Sequence, residues 1–213
     1  MTSANSDANG PSWSTAYAER ADLKAFGSAG LALFAMALKF GYDDLETIGA
    51  DAVVDGPDDR GCDVIFVDRE QGIAIVAQSY VSTTSKAAAN AGKAATLRQA
   101  VSFLVEVGIE SVPDRLKASA SLLREALLAG DIRTVYVWFV HNCPGSENVK
   151  SELAAVAETA NAIIRTKTGS KDISISVSEI SSELLETLYT DTSTPILVNE
   201  PINFSVPSGF TFE

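Results

Sequence analysis

Long apolar runs are missing from this chain. Its longest runs, such as TVYVWFV from Thr134 to Val140, fall far short of the roughly 20 residues that a membrane-spanning helix needs. The Ser-, Asn- and Asp-rich start has no apolar stretch of the kind a secretory signal carries, so the chain reads as cytoplasmic with no membrane partner. Cysteine is scarce: Cys62 and Cys143 cannot build a disulfide framework, and both read as free thiols. The lone histidine, His141, lies at the end of an expected strand, where it reads as a hydrogen-bonding group. Neither G-x-G-x-x-G nor a P-loop is present, which counts against a small-molecule nucleotide protein. Bases are outnumbered, 16 to 28, for a net charge of −12. That balance argues against coating nucleic acid through bulk charge.

What is present is enough to bury a core. With 213 residues and 46% hydrophobic content, the chain suits one domain, or one domain plus an appendage. Residues 1–14 read as disordered. A helix is expected from near Thr15, with Leu23, Phe26, Leu31, Phe34 and Leu38 on its inward stripe and Gly41 as its C-cap. A short helix follows from Asp43, then a brief strand over residues 52–54 and a turn-rich loop over 55–61. After a hairpin come helices over 92–107 and 113–129, a strand over 133–141 and a helix capped by Ser146 that runs to about Thr166. A strand over 173–177 and a last helix from Ser181 or Ser182 to Tyr189 complete the domain, 15–190. Residues 191–213 read as a linker or the start of a further β-rich segment. The unbroken apolar character of RTVYVWFVH points to a strand covered on both faces. This order predicts an α/β fold with a mixed sheet flanked by helices. The hairpin's second strand and the strand ending at His141 should be parallel, which brings His141 and Asn142 close to Tyr80.

The hairpin, GCDVIFVDREQGIAIVAQSY from Gly61 to Tyr80, is the most informative stretch. A turn centred on Glu70 and Gln71 pairs Asp68 with Ile73 and Asp63 with Gln78. Cross-strand partners share a face, so a buried acid meets a buried amide, with Tyr80 two residues on along the same face. Charge is also unevenly placed. Residues 1–70 hold 13 acids and 5 bases, whereas residues 71–105 hold Lys86, Lys93 and Arg98 and no acid. Acids beside a locally basic segment suit a metal-dependent phosphodiester site, and equally a solvated acidic face.

The run VVDGPDDRGCDVIFVD, then IAIVAQSY, then NAGKAATLRQAVSFL, resembles the N-terminal domain of the AIPR, or abortive-infection phage-resistance, proteins. More broadly it resembles the PD-(D/E)xK nuclease superfamily. The resemblance spans roughly residues 15–190 and is strongest from about 50 to 105. It implies a restriction-endonuclease-like αβββαβ core and a metal-dependent nuclease acting on DNA or RNA, with Mg²⁺ or Mn²⁺ as cofactor. On this pattern Asp63 anchors the cation, Gln78 offers an amide oxygen, and an acid of the first helix, Glu19 or Asp22, completes the set. Glu19 is favoured because it lies one turn before Leu23. Tyr80 stands where the pattern has its lysine. Lys93, set at helical spacing before Leu97, Val101 and Leu104, is expected on the stripe facing the sheet as the substitute, with Lys86 as a second choice. Asp55, Asp58 and Asp59 read chiefly as turn formers. The alternative is a nuclease-derived module that has lost catalysis and binds nucleic acid or protein. A homodimer, and a C-terminal domain lying beyond this chain, are both compatible with the resemblance.

Overall fold

The computed structural model describes residues 12–170 and 172–193. Most of the segments read as disordered start and C-terminal linker therefore lie outside the described residues.

The architecture is α/β: a four-stranded mixed sheet with helices on both faces. Strands β1 (Val64–Asp68), β2 (Ile73–Tyr80), β3 (Thr134–His141) and β4 (Ser174–Ile180) lie side by side in chain order. The first pair is antiparallel and the other two pairs are parallel. One face carries α4 (Ala91–Val101), α5 (Asp114–Ala129) and α6 (Glu147–Thr168). The other carries α1 (Trp13–Glu19), α2 (Ala29–Phe40), α3 (Leu45–Ala52) and α7 (Ser182–Ser193). Trp138 and Phe139, adjacent on β3, are each fully buried on opposite faces, as an unbroken apolar strand requires. Among the described residues no helix is long and apolar enough to cross a membrane.

The hairpin register matches the expected one. Asp68 pairs with Ile73, Val64 pairs with Ala77, and Asp63 N–H donates to the Ala77 carbonyl at 2.8 Å, which sets Asp63 opposite Gln78. The turn is held by Asp68, whose carboxylate accepts from Gln71 N–H at 2.8 Å and from the Tyr42 hydroxyl at 2.7 Å. Gly72 supplies the left-handed residue at its end, with φ of 71°. Tyr80 pairs with His141, and Asn142 bonds Ser82 just beyond, so the expected convergence at this sheet end is present.

Three elements differ from the sequence reading. The first long helix is broken: α1 ends at Glu19, a 3₁₀ turn covers Asp22–Phe26, and α2 begins only at Ala29. Arg20 closes on Asp22 at 2.5 Å and Gly27 takes a φ of 54°, which together turn the chain. The brief strand over 52–54 is reduced to one antiparallel bridge, Val53 to Val64, because Ala52 still belongs to α3. The helix expected over 92–107 is α-helical only to Val101 and continues as a π-helical turn over Ser102–Glu106. Arg124 of α5 satisfies the carbonyls freed there, donating to Leu104, Phe103 and Val107 at 2.7, 2.8 and 2.7 Å.

Candidate functional site

A pocket of about 290 Å³ lies at the end of the sheet where β1 begins and β2 finishes. Because β1 is an edge strand, both helical layers reach it. Ser28, the residue before α2, comes from one face, while Lys93 and Thr96 of α4 come from the other. Asp55, Asp59 and Gly61 come from the loop, and Asp63, Gln78 and Ser79 from the hairpin.

The loop over 55–61 is folded back so that its acids face Asp63. Gly56, Asp58, Arg60 and Gly61 all have positive φ. Asp59 makes these turns possible by accepting from Gly61 N–H at 2.8 Å and Gly56 N–H at 3.3 Å. Gly61 has a further constraint, since a Cβ there would run into the Thr96 side chain of α4. Arg60 lies over the Phe103 ring at 4.8 Å, and Arg115 donates to the Val54 carbonyl at 2.8 Å. The result is that carboxylate oxygens of Asp55, Asp59 and Asp63 all fall within 4.8 Å of one another. Oxygen donors gathered so closely suit a hard cation such as Mg²⁺ or Mn²⁺.

Asp63 is the electrostatic centre of this arrangement. It is 2% exposed, and its carboxylate accepts from Ser79 N–H at 2.7 Å and from Gln78 Nε2 at 3.0 Å to each oxygen. Burial pushes its pKa up to about 7; the Ser79 N–H opposes this, Asp55 and Asp59 add to it, and Lys93 offsets part of it. A buried carboxylate with two acid neighbours is short of positive charge. Its neighbour Cys62 is no nucleophile: burial and the adjacent acids hold its thiol well above the usual range.

The candidate residues fall into place unevenly. Asp63, Gln78 and Lys93 share the pocket. Gln78, however, turns its amide nitrogen toward Asp63, so in this orientation it is a donor rather than an oxygen ligand. Lys93 is exposed, not part of the inward stripe, which runs through Ala94, Leu97, Val101 and Leu104. Its ammonium reaches the pocket from outside and lies 5.3 Å from the Tyr80 ring centroid. Glu19 is exposed at the end of α1 and is not among the residues lining the pocket. The break after α1 separates it from Leu23, removing the shared stripe on which its placement depended. Asp22 is tied to Arg20 instead, whose guanidinium holds its carboxyl below the usual range.

Tyr80 carries a cationic neighbour on its hydroxyl, to which Lys86 Nζ donates. That bond, followed by one from Ser82, lowers the phenol pKa. His141 is remote in role from the pocket: its Nε2 meets Glu179 Oε1 at 3.0 Å, and its Nδ1 lies 3.0 Å from the Cys143 carbonyl and 3.3 Å from the Cys143 N–H.

Asp55 and Asp59 are the site residues that composition undervalued. Acids at every fourth position of the loop, 55, 59 and 63, were the available signal. Ser28 and Thr96 had none, since only the meeting of two helices at the sheet end brings them in. Neither a family model nor a curated protein nor a solved structure matches this chain.

Proposed function

We propose that this chain is a metal-dependent nuclease domain that hydrolyses phosphodiester bonds of DNA or RNA, built on a restriction-endonuclease-like core and related to the AIPR abortive-infection proteins. The observation that supports it most is the convergence of Asp55 and Asp59 on the buried Asp63, a carboxylate group lacking an adequate counter-charge. A bound Mg²⁺ or Mn²⁺ would supply Lewis acidity, lowering the pKa of a water and taking up charge on the phosphate. Asp63 would hold the cation, with Asp55 and Asp59 beside it. Gln78 fixes the Asp63 carboxylate through its amide, and a half-turn of that amide would exchange nitrogen for oxygen at the same place. Lys93 lies on the pocket wall, where its ammonium can steady a phosphate oxygen.

A second reading is a nuclease-derived module that binds without cutting. It is favoured by Tyr80, which stands at the position of the expected lysine, and by the amide nitrogen that now occupies both oxygens of Asp63.

A cleavage assay with Mg²⁺ and with Mn²⁺ on single- and double-stranded DNA and RNA separates the two. The nuclease reading expects cleavage that Asp63→Ala lowers on the order of 100-fold or more. Cleavage unaffected by that change would sink the site assignment, and binding without cleavage of any substrate would establish the second reading.

A further inference from the structure

The connection from β2 to α4, residues 81–90, has no regular structure, yet it is clasped at its start. Ser82 N–H donates to Asn142 Oδ1 at 2.8 Å, Asn142 Nδ2 donates back to the Ser82 carbonyl at 2.9 Å, and Ser82 Oγ donates to the Thr84 carbonyl at 2.7 Å. This clasp ties the connection to the end of β3. It also sets where Lys86 emerges.

Lys86 Nζ donates to the Tyr80 hydroxyl and lies 5.1 Å from that ring's centroid. Lys93 Nζ, in the first turn of α4, lies 5.3 Å from the same centroid. Two exposed ammonium groups are therefore gathered at one phenol. Among the described residues neither takes part in an ion pair, whereas Lys117 and Lys150 each close on an acid at 2.6 and 2.7 Å. No acid lies in residues 71–105, and Lys93 is partly offset by Asp63 across the pocket. The phenol oxygen compensates part of the Lys86 charge, and an anion lodged beside both ammonium groups would compensate more. Lys93 also lines the pocket that holds Asp63, so such an anion would sit next to one at the acids.

We propose that Lys86 and Lys93, positioned by Tyr80 and by the Asn142 clasp, form a second phosphate subsite that takes the backbone phosphate adjacent to the one at the acidic pocket. The ligand's identity as a nucleic-acid strand rests on the nuclease reading. The subsite also explains how a chain of net charge −12 could hold a polyanion, through a small local group of cations.

The test measures binding of a fluorescein-labelled single-stranded oligonucleotide, as DNA and as RNA, against KCl concentration and without divalent cation. Lys86→Met and Lys93→Met are compared with Lys39→Met, which removes an exposed lysine over aromatic rings at the other end of the sheet. Each of the first two should raise Kd about 5-fold and lower the salt slope by about 0.7, the value for one phosphate contact on a single strand. Lys39→Met should change neither. Thermal melting checks that all three remain folded. If Lys86→Met and Lys39→Met give the same slope as the unsubstituted protein, the subsite is overturned, even where Asp63-dependent cleavage is found. If the slope falls as expected but no substrate is cleaved, the subsite stands and the nuclease reading fails.

Discussion

Two buried acids sit at the same end of the sheet, and they are treated in opposite ways. Glu179, at the end of β4, has a side chain 6% exposed and hydrogen-bond partners on both carboxylate oxygens. His141 Nε2 meets it at 3.0 Å, Ser146 N–H donates to it at 3.1 Å, and the N-terminus of the 22-residue α6 adds its positive dipole end. Its neighbour Glu183 is held below the usual range by the Ser181 hydroxyl. Asp63 is more deeply buried yet faces Asp55 and Asp59, and its partners are one backbone N–H and one amide. A buried acid whose oxygens the fold has supplied with donors is part of the scaffold. One left short of positive charge is a candidate for a ligand.

The comparison can be broken at either acid. At the partnered one, Glu179→Ala should cost about 3 kcal/mol, because it strands His141 Nε2 and the start of α6 without their carboxylate partner. Urea unfolding measures this, and a loss below about 1 kcal/mol would mean that the cluster is not structural.

Asp63 should respond with the opposite sign. Its folded pKa is about 7 against an ordinary 3.8, so its contribution to stability is fully present below about 4 and is lost as pH rises through about 7. Without divalent cation, the unsubstituted protein should lose on the order of 4 kcal/mol relative to Asp63→Asn across that window. Parallel pH curves for the two would contradict the shifted titration.

Divalent cation sharpens the contrast. At about pH 8, Mn²⁺ in 100-fold excess over its Kd should raise stability by about 2.7 kcal/mol in the unsubstituted protein. The gain should vanish in Asp63→Ala and persist in Glu179→Ala. Equal gains in all three would place the cation elsewhere. Smallest of all, Glu19→Ala should change stability by less than about 0.5 kcal/mol and leave Mn²⁺ affinity as it was, since the residue is exposed and outside the pocket. A weakened Mn²⁺ titration in that variant would restore it to the site.

Much of this was legible in the sequence because strand geometry is strict. A period of two and a turn of fixed length suffice to set Asp63 opposite Gln78, and a parallel crossover brings Tyr80 beside His141. Helix ends are less strict. Leu23 and Phe26 have the spacing of a helical stripe, yet an ion pair between Arg20 and Asp22 and a left-handed Gly27 divide the helix there, and Glu19 is lost to the surface with it. Lys93 shows a second limit. It precedes the buried stripe of α4 by one position, and in a helix one position is a turn of about 100°. Asp55 and Asp59 show a third: the property that made them read as turn formers, tolerance of tight backbone turns, is also what folds them back onto Asp63.

The π-helical turn after α4 gives that helix a mechanical role. Its freed carbonyls are gripped by Arg124, while its first turns press Thr96 against Gly61 and carry Lys93 into the pocket. Between these ends α4 is fixed by its buried stripe, Ala94, Leu97 and Val101, over about 12 Å from Lys93 to Val101 at about 1.5 Å for each residue. Its far end is capped by a guanidinium that touches nothing in the site. The nearest cation is thus carried to the acids on a rod seated in the core, so its position is inherited from the packing and not from the exposed loop.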